Sequence, residues 1–160
     1  MVDAPKRIHL IGFGNPGRLD DGLGPALAAA IDALQLPNVS VDSDYQLTVD
    51  DAHDVAPHDV VIFADADVRG REPFYFIPVD PGDSIHFSSH GCSPSAVIGL
   101  ARELFGGPAE AYLIGMRGYE WDAFEERLST KAQENLAAAV AFLEPLLRAG
   151  RFAEHVILDA

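Results

Sequence analysis

The segment Val60-Val61-Ile62-Phe63-Ala64 is apolar at all five positions and lacks the alternation of a strand that wets one face. Such a strand is buried on both sides, and its usual setting is a parallel sheet covered by helices. The rest of the chain fits that setting. Residues 7–13 (RIHLIGF) and 111–116 read as further buried strands, and Val39–Asp44 alternates as a strand. Residues 74–79 read as a further strand, which Pro78 and Pro81 assign to a sheet edge. Between these runs the period becomes helical. A helix is expected over about residues 21–34, with Leu23, Leu27, Ile31 and Leu34 on one face. Ser93 and Pro94 form an N-cap followed by proline at the first helical position, opening a helix that runs to Phe105 and stops at Gly106-Gly107. Thr130 with Gln133 reads as a capping box for the last helix, whose Leu136, Val140, Leu143 and Leu147 share a face and which Pro145 should kink. The expected class is α/β: one domain over residues 1–160, with a mostly parallel central sheet flanked by helices on both faces. Its core spans about residues 7–148, and 149–160 form a tail.

Charge and composition exclude several functions. With 25 acidic and 11 basic residues the formal net charge is -14, which disfavours nucleic acid as a partner. No apolar stretch approaches the roughly 18 residues of a membrane span. The short polar N-terminus lacks signal-peptide features, so the cytoplasm is the expected compartment; a monomer is also expected. Cys92 is the only cysteine, which rules out an internal disulfide and a multi-cysteine zinc site.

In sheets of this class ligands bind beyond the carboxyl ends of the strands. Asp20 and Asp21 follow the first strand, Asp65 ends the apolar run, and His90 lies in the loop Ser88-Ser89-His90-Gly91-Cys92. Two carboxylates and an imidazole at one edge, exposed in a cleft, suit a divalent transition metal. Each also has a plain structural role open to it: helix cap for Asp20 or Asp21, turn former for Asp65 and solvated loop residue for His90. Asp67 is a spare ligand that should lie past the strand. His9 should be packed or at an edge, His58 solvated and Cys92 a small buried side chain. Tyr119 and Trp121 suit either a peptide grip or a lid over the core. Gly12-Phe13-Gly14-Asn15-Pro16-Gly17 matches the dinucleotide pattern G-x-G-x-x-G, but two carboxylates stand where a pyrophosphate would bind, so no nucleotide cofactor is expected.

Gly12-Phe13-Gly14-Asn15, a four-residue spacer and Asp20-Asp21-Gly22-Leu23-Gly24 resemble the N-terminal signature of hydrogenase maturation proteases. Ile62-Phe63-Ala64-Asp65-Ala66 is similar to that family's second acidic motif, and Ser88-Ser89-His90 to its histidine motif. The resemblance implies an endopeptidase that removes the C-terminal extension of a nickel-loaded nickel-iron hydrogenase large-subunit precursor. It also implies Asp21, Asp65 and His90 as catalytic residues and as ligands of the precursor's nickel. Two departures stand out. Some members have Glu where this chain has Asp21, and many carry a Gly-Thr segment where it reads Asp44-Tyr45-Gln46-Leu47-Thr48-Val49-Asp50-Asp51. That stretch is expected to line the substrate groove. Two rival readings are a non-catalytic nickel-binding maturation chaperone and a peptidyl-tRNA-hydrolase-like enzyme. The latter is suggested by Gly14-Asn15-Pro16-Gly17 but lacks the Arg-His-Asn segment that family needs next.

Overall fold

Five strands, β1 (Ile8–Phe13), β2 (Val39–Asp44), β3 (Val60–Asp67), β4 (Phe74–Pro78) and β5 (Glu110–Arg117), hydrogen-bond into one sheet in the order β2-β1-β3-β5-β4. The computed structural model describes residues 5–81 and 92–159. β1, β2, β3 and β5 run parallel, while β4 lies antiparallel to β5 at the edge. Four helices, α1 (Leu23–Ala33), α2 (Val49–Val55), α3 (Pro94–Phe105) and α4 (Thr130–Ala149), cover the sheet. No described helix is long and apolar enough to cross a membrane.

The unbroken apolar run of β3 is explained by two cores, one on each face. Ile62 and Ala64 pack with Leu23, Leu27 and Ile31 of α1 and Leu143 and Leu147 of α4. Val61 and Phe63 face the other way, against Ala52 and Val55 of α2 and Val97, Ile98 and Ala101 of α3. Ser93 caps α3 by accepting from the Ala96 N–H, with Pro94 in the first turn and Gly106 closing the helix in the left-handed region, as its sequence requires.

Several expectations need correction. Helix α2 was not foreseen, because its segment is polar and exposed along one side; Thr48 and Asp51 form a capping box that starts it. The last helix is capped by Ser129 rather than Thr130, and the Gln133 side chain donates to the Leu128 carbonyl instead of closing a box. His58 is not simply solvated: it stacks on buried His9 at 4.7 Å and shares the Ser40 hydroxyl with it. After α4, Phe152 is 1% exposed in the core and Ile157 bridges to Phe76.

The entry to α1 is set by glycine. A Cβ on Gly12 would overlap the Gly24 carbonyl, and one on Gly24 would overlap the carbonyl oxygens of Phe13 and Ala64. The first turn of α1 thus rests on bare backbone of β1 and β3, leaving no room for a methyl group. Gly12→Ala is expected to destabilise the fold by at least about 2 kcal/mol, since close-packed backbone cannot yield as a side chain does. Urea unfolding measures this, and a change within roughly 0.5 kcal/mol would contradict the packing described.

Candidate active site

Adjacent carboxylates at the mouth of α1 have different tasks. Leu19–Gly22 form a single 3-10 turn ahead of the helix. The Asp20 side chain points inward and is fully buried. It accepts hydrogen bonds from the Tyr119 and Glu120 N–H groups, the Ser129 N–H and the Ser129 hydroxyl, at 2.7–3.0 Å. Burial alone would raise its pKa, but those donors outweigh burial and hold it below the usual carboxylate value. Asp20 is therefore a structural anion that ties the loop after β5 and the start of α4 to the turn. Asp21 is half-buried, and its Oδ2 accepts from the Asn15 N–H at 2.8 Å. Neither carboxylate caps α1.

Asp65 lies within β3, paired with Gly115, rather than at the strand's end. Its Oδ1 accepts from the Ala66 N–H. Its pKa is pushed up to about 7, chiefly by burial and in smaller part by the charges of Asp21 and Asp67, against that hydrogen bond. Asp21 thus lies near enough for its charge to be felt at Asp65. β3 continues to Asp67, so that residue does not lie beyond the strand. Its carboxylate accepts from the Arg69 and Gly70 N–H groups and from the Tyr75 hydroxyl, leaving it committed to the turn. Burial opposes ionisation of Asp67, but these bonds and Arg117 keep its pKa low.

His90 lies outside the described residues, and so does the rest of its Ser-Ser-His motif. The strand before it, β4, runs antiparallel and ends at the opposite edge from Asp65, so the strand-end rule gives His90 no position. The described chain resumes at Cys92, whose N–H donates to the Leu47 carbonyl, just beyond the carboxyl end of β2. The Cys92 thiol is partly buried, and burial with the Asp51 charge raises its pKa, which disfavours a thiolate nucleophile. Among the described residues no three His, Cys, Asp or Glu side chains form a metal cluster; of the expected set, the Asp21 charge is felt at Asp65.

The rim contains a hollow of about 170 Å³ lined by Gly14, Pro16, Pro25, Ser43, Asp44 and Tyr45. It borders the backbone of Asp21, since a Cβ on Gly14 would overlap the Asp21 carbonyl oxygen. The Tyr119–Trp121 segment acts as a lid: Tyr119 packs on the core and hydrogen-bonds Asn135 and Glu72, while Trp121 covers Gly118. Sequence reasoning missed the role of Asp20, whose partners lie some hundred positions away. For α2 a signal was present in the Thr48-x-x-Asp51 pattern.

Two stability predictions separate the acids. Asp20→Asn should cost roughly 2–4 kcal/mol at neutral pH, because an amide NH2 would face N–H and O–H donors. The wild-type contribution should be present above the ordinary aspartate pKa and be lost as pH falls through the depressed folded value. Asp65 behaves oppositely. Its folded pKa of about 7 exceeds the ordinary 3.8, so ionising it costs stability as pH rises through that interval. Asp65→Asn should therefore be more stable than wild type at pH 8, by on the order of 2 kcal/mol, and nearly unchanged at pH 4. Denaturant unfolding at both pH values checks each sign; destabilisation by Asp65→Asn at pH 8 would contradict the environment assigned to it.

No protein-family model and no curated protein sequence matches the chain. Solved structures do. A [NiFe] hydrogenase maturation protease HycI from Thermococcus kodakarensis is similar with a TM-score of 0.69 and 26% identity, over 89% of this chain and 93% of that one. The hydrogenase maturating endopeptidase HybD from E. coli matches with a TM-score of 0.71 and 19% identity, over 90% and 93%. The endopeptidase HycI from Escherichia coli matches with a TM-score of 0.69 and 18% identity, over 96% of both chains. Across nearly its whole length, the chain has the fold of the hydrogenase maturation proteases.

Proposed function

We propose that this chain is an endopeptidase that removes the C-terminal extension of a nickel-loaded hydrogenase large-subunit precursor in the cytoplasm. The observation that carries this reading is the fold shared with maturation proteases, and the Asp21 charge felt at buried Asp65 supports it. Asp20 and Asp67 are committed to hydrogen bonds, whereas Asp21 and Asp65 each keep acceptor capacity among the described residues. A buried carboxylate whose pKa is pushed upward, with a second carboxylate charge felt at it, is an environment that an incoming cation would relieve.

The donor chemistry fits the precursor's nickel. Asp21 and Asp65 offer hard oxygens and His90 a borderline nitrogen, with no thiolate, so the set is open and needs groups from the substrate to complete it. In this reading the three residues hold the metal-bearing end of the precursor, and the scissile bond is fixed by that attachment. Bound there, the ion would supply Lewis acidity for the carbonyl, the other route being a free carboxylate that activates water. The Asn15 N–H orients Asp21, and Asp20 fixes the turn from which Asp21 projects.

The test presents matched nickel-free and nickel-loaded precursor to the purified protein and follows tail release by mass spectrometry. Release from the loaded form only is expected, and Cys92→Ser should change the rate less than about twofold, because its thiol lies outside the donor set. Equal rates on both precursors would refute recognition through the metal. Retention of the tail in both, with nickel passing to this protein, would favour a nickel chaperone instead.

A further inference from the structure

Among the described residues the outer edge of β2 is open, because β2 ends the sheet and pairs there with β1 alone. In the parallel ladder the Ile8 N–H donates to the Asn38 carbonyl and the Gly14 N–H to the Asp44 carbonyl, so even-numbered residues from 38 to 44 turn their backbone groups toward β1. Odd-numbered residues turn theirs outward. Two of the outward N–H groups are engaged: Val39 donates to the Leu36 carbonyl and Ser43 to the Asp42 carboxylate. The Val41 N–H and C=O and the Ser43 C=O face the open side.

Three hollows follow this edge, between β2 and α1. The rim hollow beside Asp21 shares Pro25 and Ser43 with a second of about 290 Å³. The second shares Asp32 and Val41 with a third of about 300 Å³, which ends near Val39. Together they form one channel along the strand, ending at the rim beside the Asp21 backbone. The charged residues lining it are Asp32, Asp42 and Asp44, all acidic. Six residues of β2 span about 20 Å, the length of a short extended peptide.

We propose that this channel binds an extended, lysine- or arginine-bearing segment of the substrate polypeptide, which adds to the sheet as a sixth strand beside β2 and carries the neighbouring bond to Asp21 and Asp65. The proposal rests on the protease reading and extends it from the reacting centre to substrate recognition. Strand addition uses main-chain hydrogen bonds for affinity and hollows spaced along the strand for side-chain choice. A second copy of this chain is a poor occupant, because pairing two β2 edges would set the three carboxylates against their own copies.

The test uses the intact protein and its nickel-loaded precursor. Val41→Pro removes the outward N–H and leaves the β1 ladder whole, since proline is tolerated where an edge N–H faces outward. It should raise KM for tail release roughly tenfold with little change in kcat, the signature of lost ground-state binding. Should that variant fold poorly, Asp32→Asn/Asp42→Asn/Asp44→Asn removes the three charges and leaves each side chain one amide oxygen as an acceptor. It should also raise KM and flatten the salt dependence. Hydrogen exchange gives a readout independent of cleavage: the Val41 amide should gain protection when precursor is added. Unchanged KM in both variants would overturn the channel while leaving the protease reading intact. Val41 protection without any tail release would keep the channel and remove the protease reading. Protection that grows with the concentration of this protein alone would mean self-pairing and overturn the proposal.

Discussion

The arrangement depends on one contact, the seating of the first turn of α1 on bare backbone at the ends of β1 and β3. Gly12 and Gly24 allow it, because a methyl group on either would overlap main-chain carbonyls. That approach brings the 3-10 turn, and Asp21 with it, beside the strand carrying Asp65. Glycines that look from sequence like a phosphate cradle here serve close packing between helix and sheet. Asn15 completes the turn, with its side-chain oxygen accepting from the Gly17 N–H and its own N–H donating to Asp21.

Around that contact the charges are sorted by hydrogen bonding. Asp20 and Asp67 are each surrounded by donors, and their pKa values fall despite burial. Asp65 has the Ala66 N–H as its donor among the described residues, together with two carboxylates nearby, and its pKa rises. The fold thus gives good hydrogen bonding to the acids that hold loops and leaves the buried Asp65 with little. Such a pattern is common where stability is traded for function.

Much of the architecture was legible in the chain. The apolar run of β3 implied helices on both faces, and the boundaries of β2 and the Ser93-Pro94 start of α3 agree with local chemistry. The misses share a cause. Helix α2 depends on a capping box and on packing against α3, because Val49–Val55 is too polar for its period to be conspicuous. Ala66 and Asp67 continue β3 because Met116 and Arg117 pair with them, which local sequence does not reveal. Asp20 and Asp21 look alike in sequence; they differ only through Tyr119, Glu120 and Ser129, which the fold brings from far along the chain. The resemblance to maturation proteases singled out Asp21, and the hydrogen bonding of its neighbour gives a physical reason for that choice.

The central claim is that the Asp21–Asp65 pair is the working centre. The most direct measurement is single-turnover tail release from nickel-loaded precursor by Asp21→Asn and Asp65→Asn, each checked for folding by thermal unfolding. The account predicts folded proteins that release tail at least about a hundredfold more slowly than wild type, as expected when a group needed in the reacting centre is removed. Release at the wild-type rate by either folded variant would contradict it.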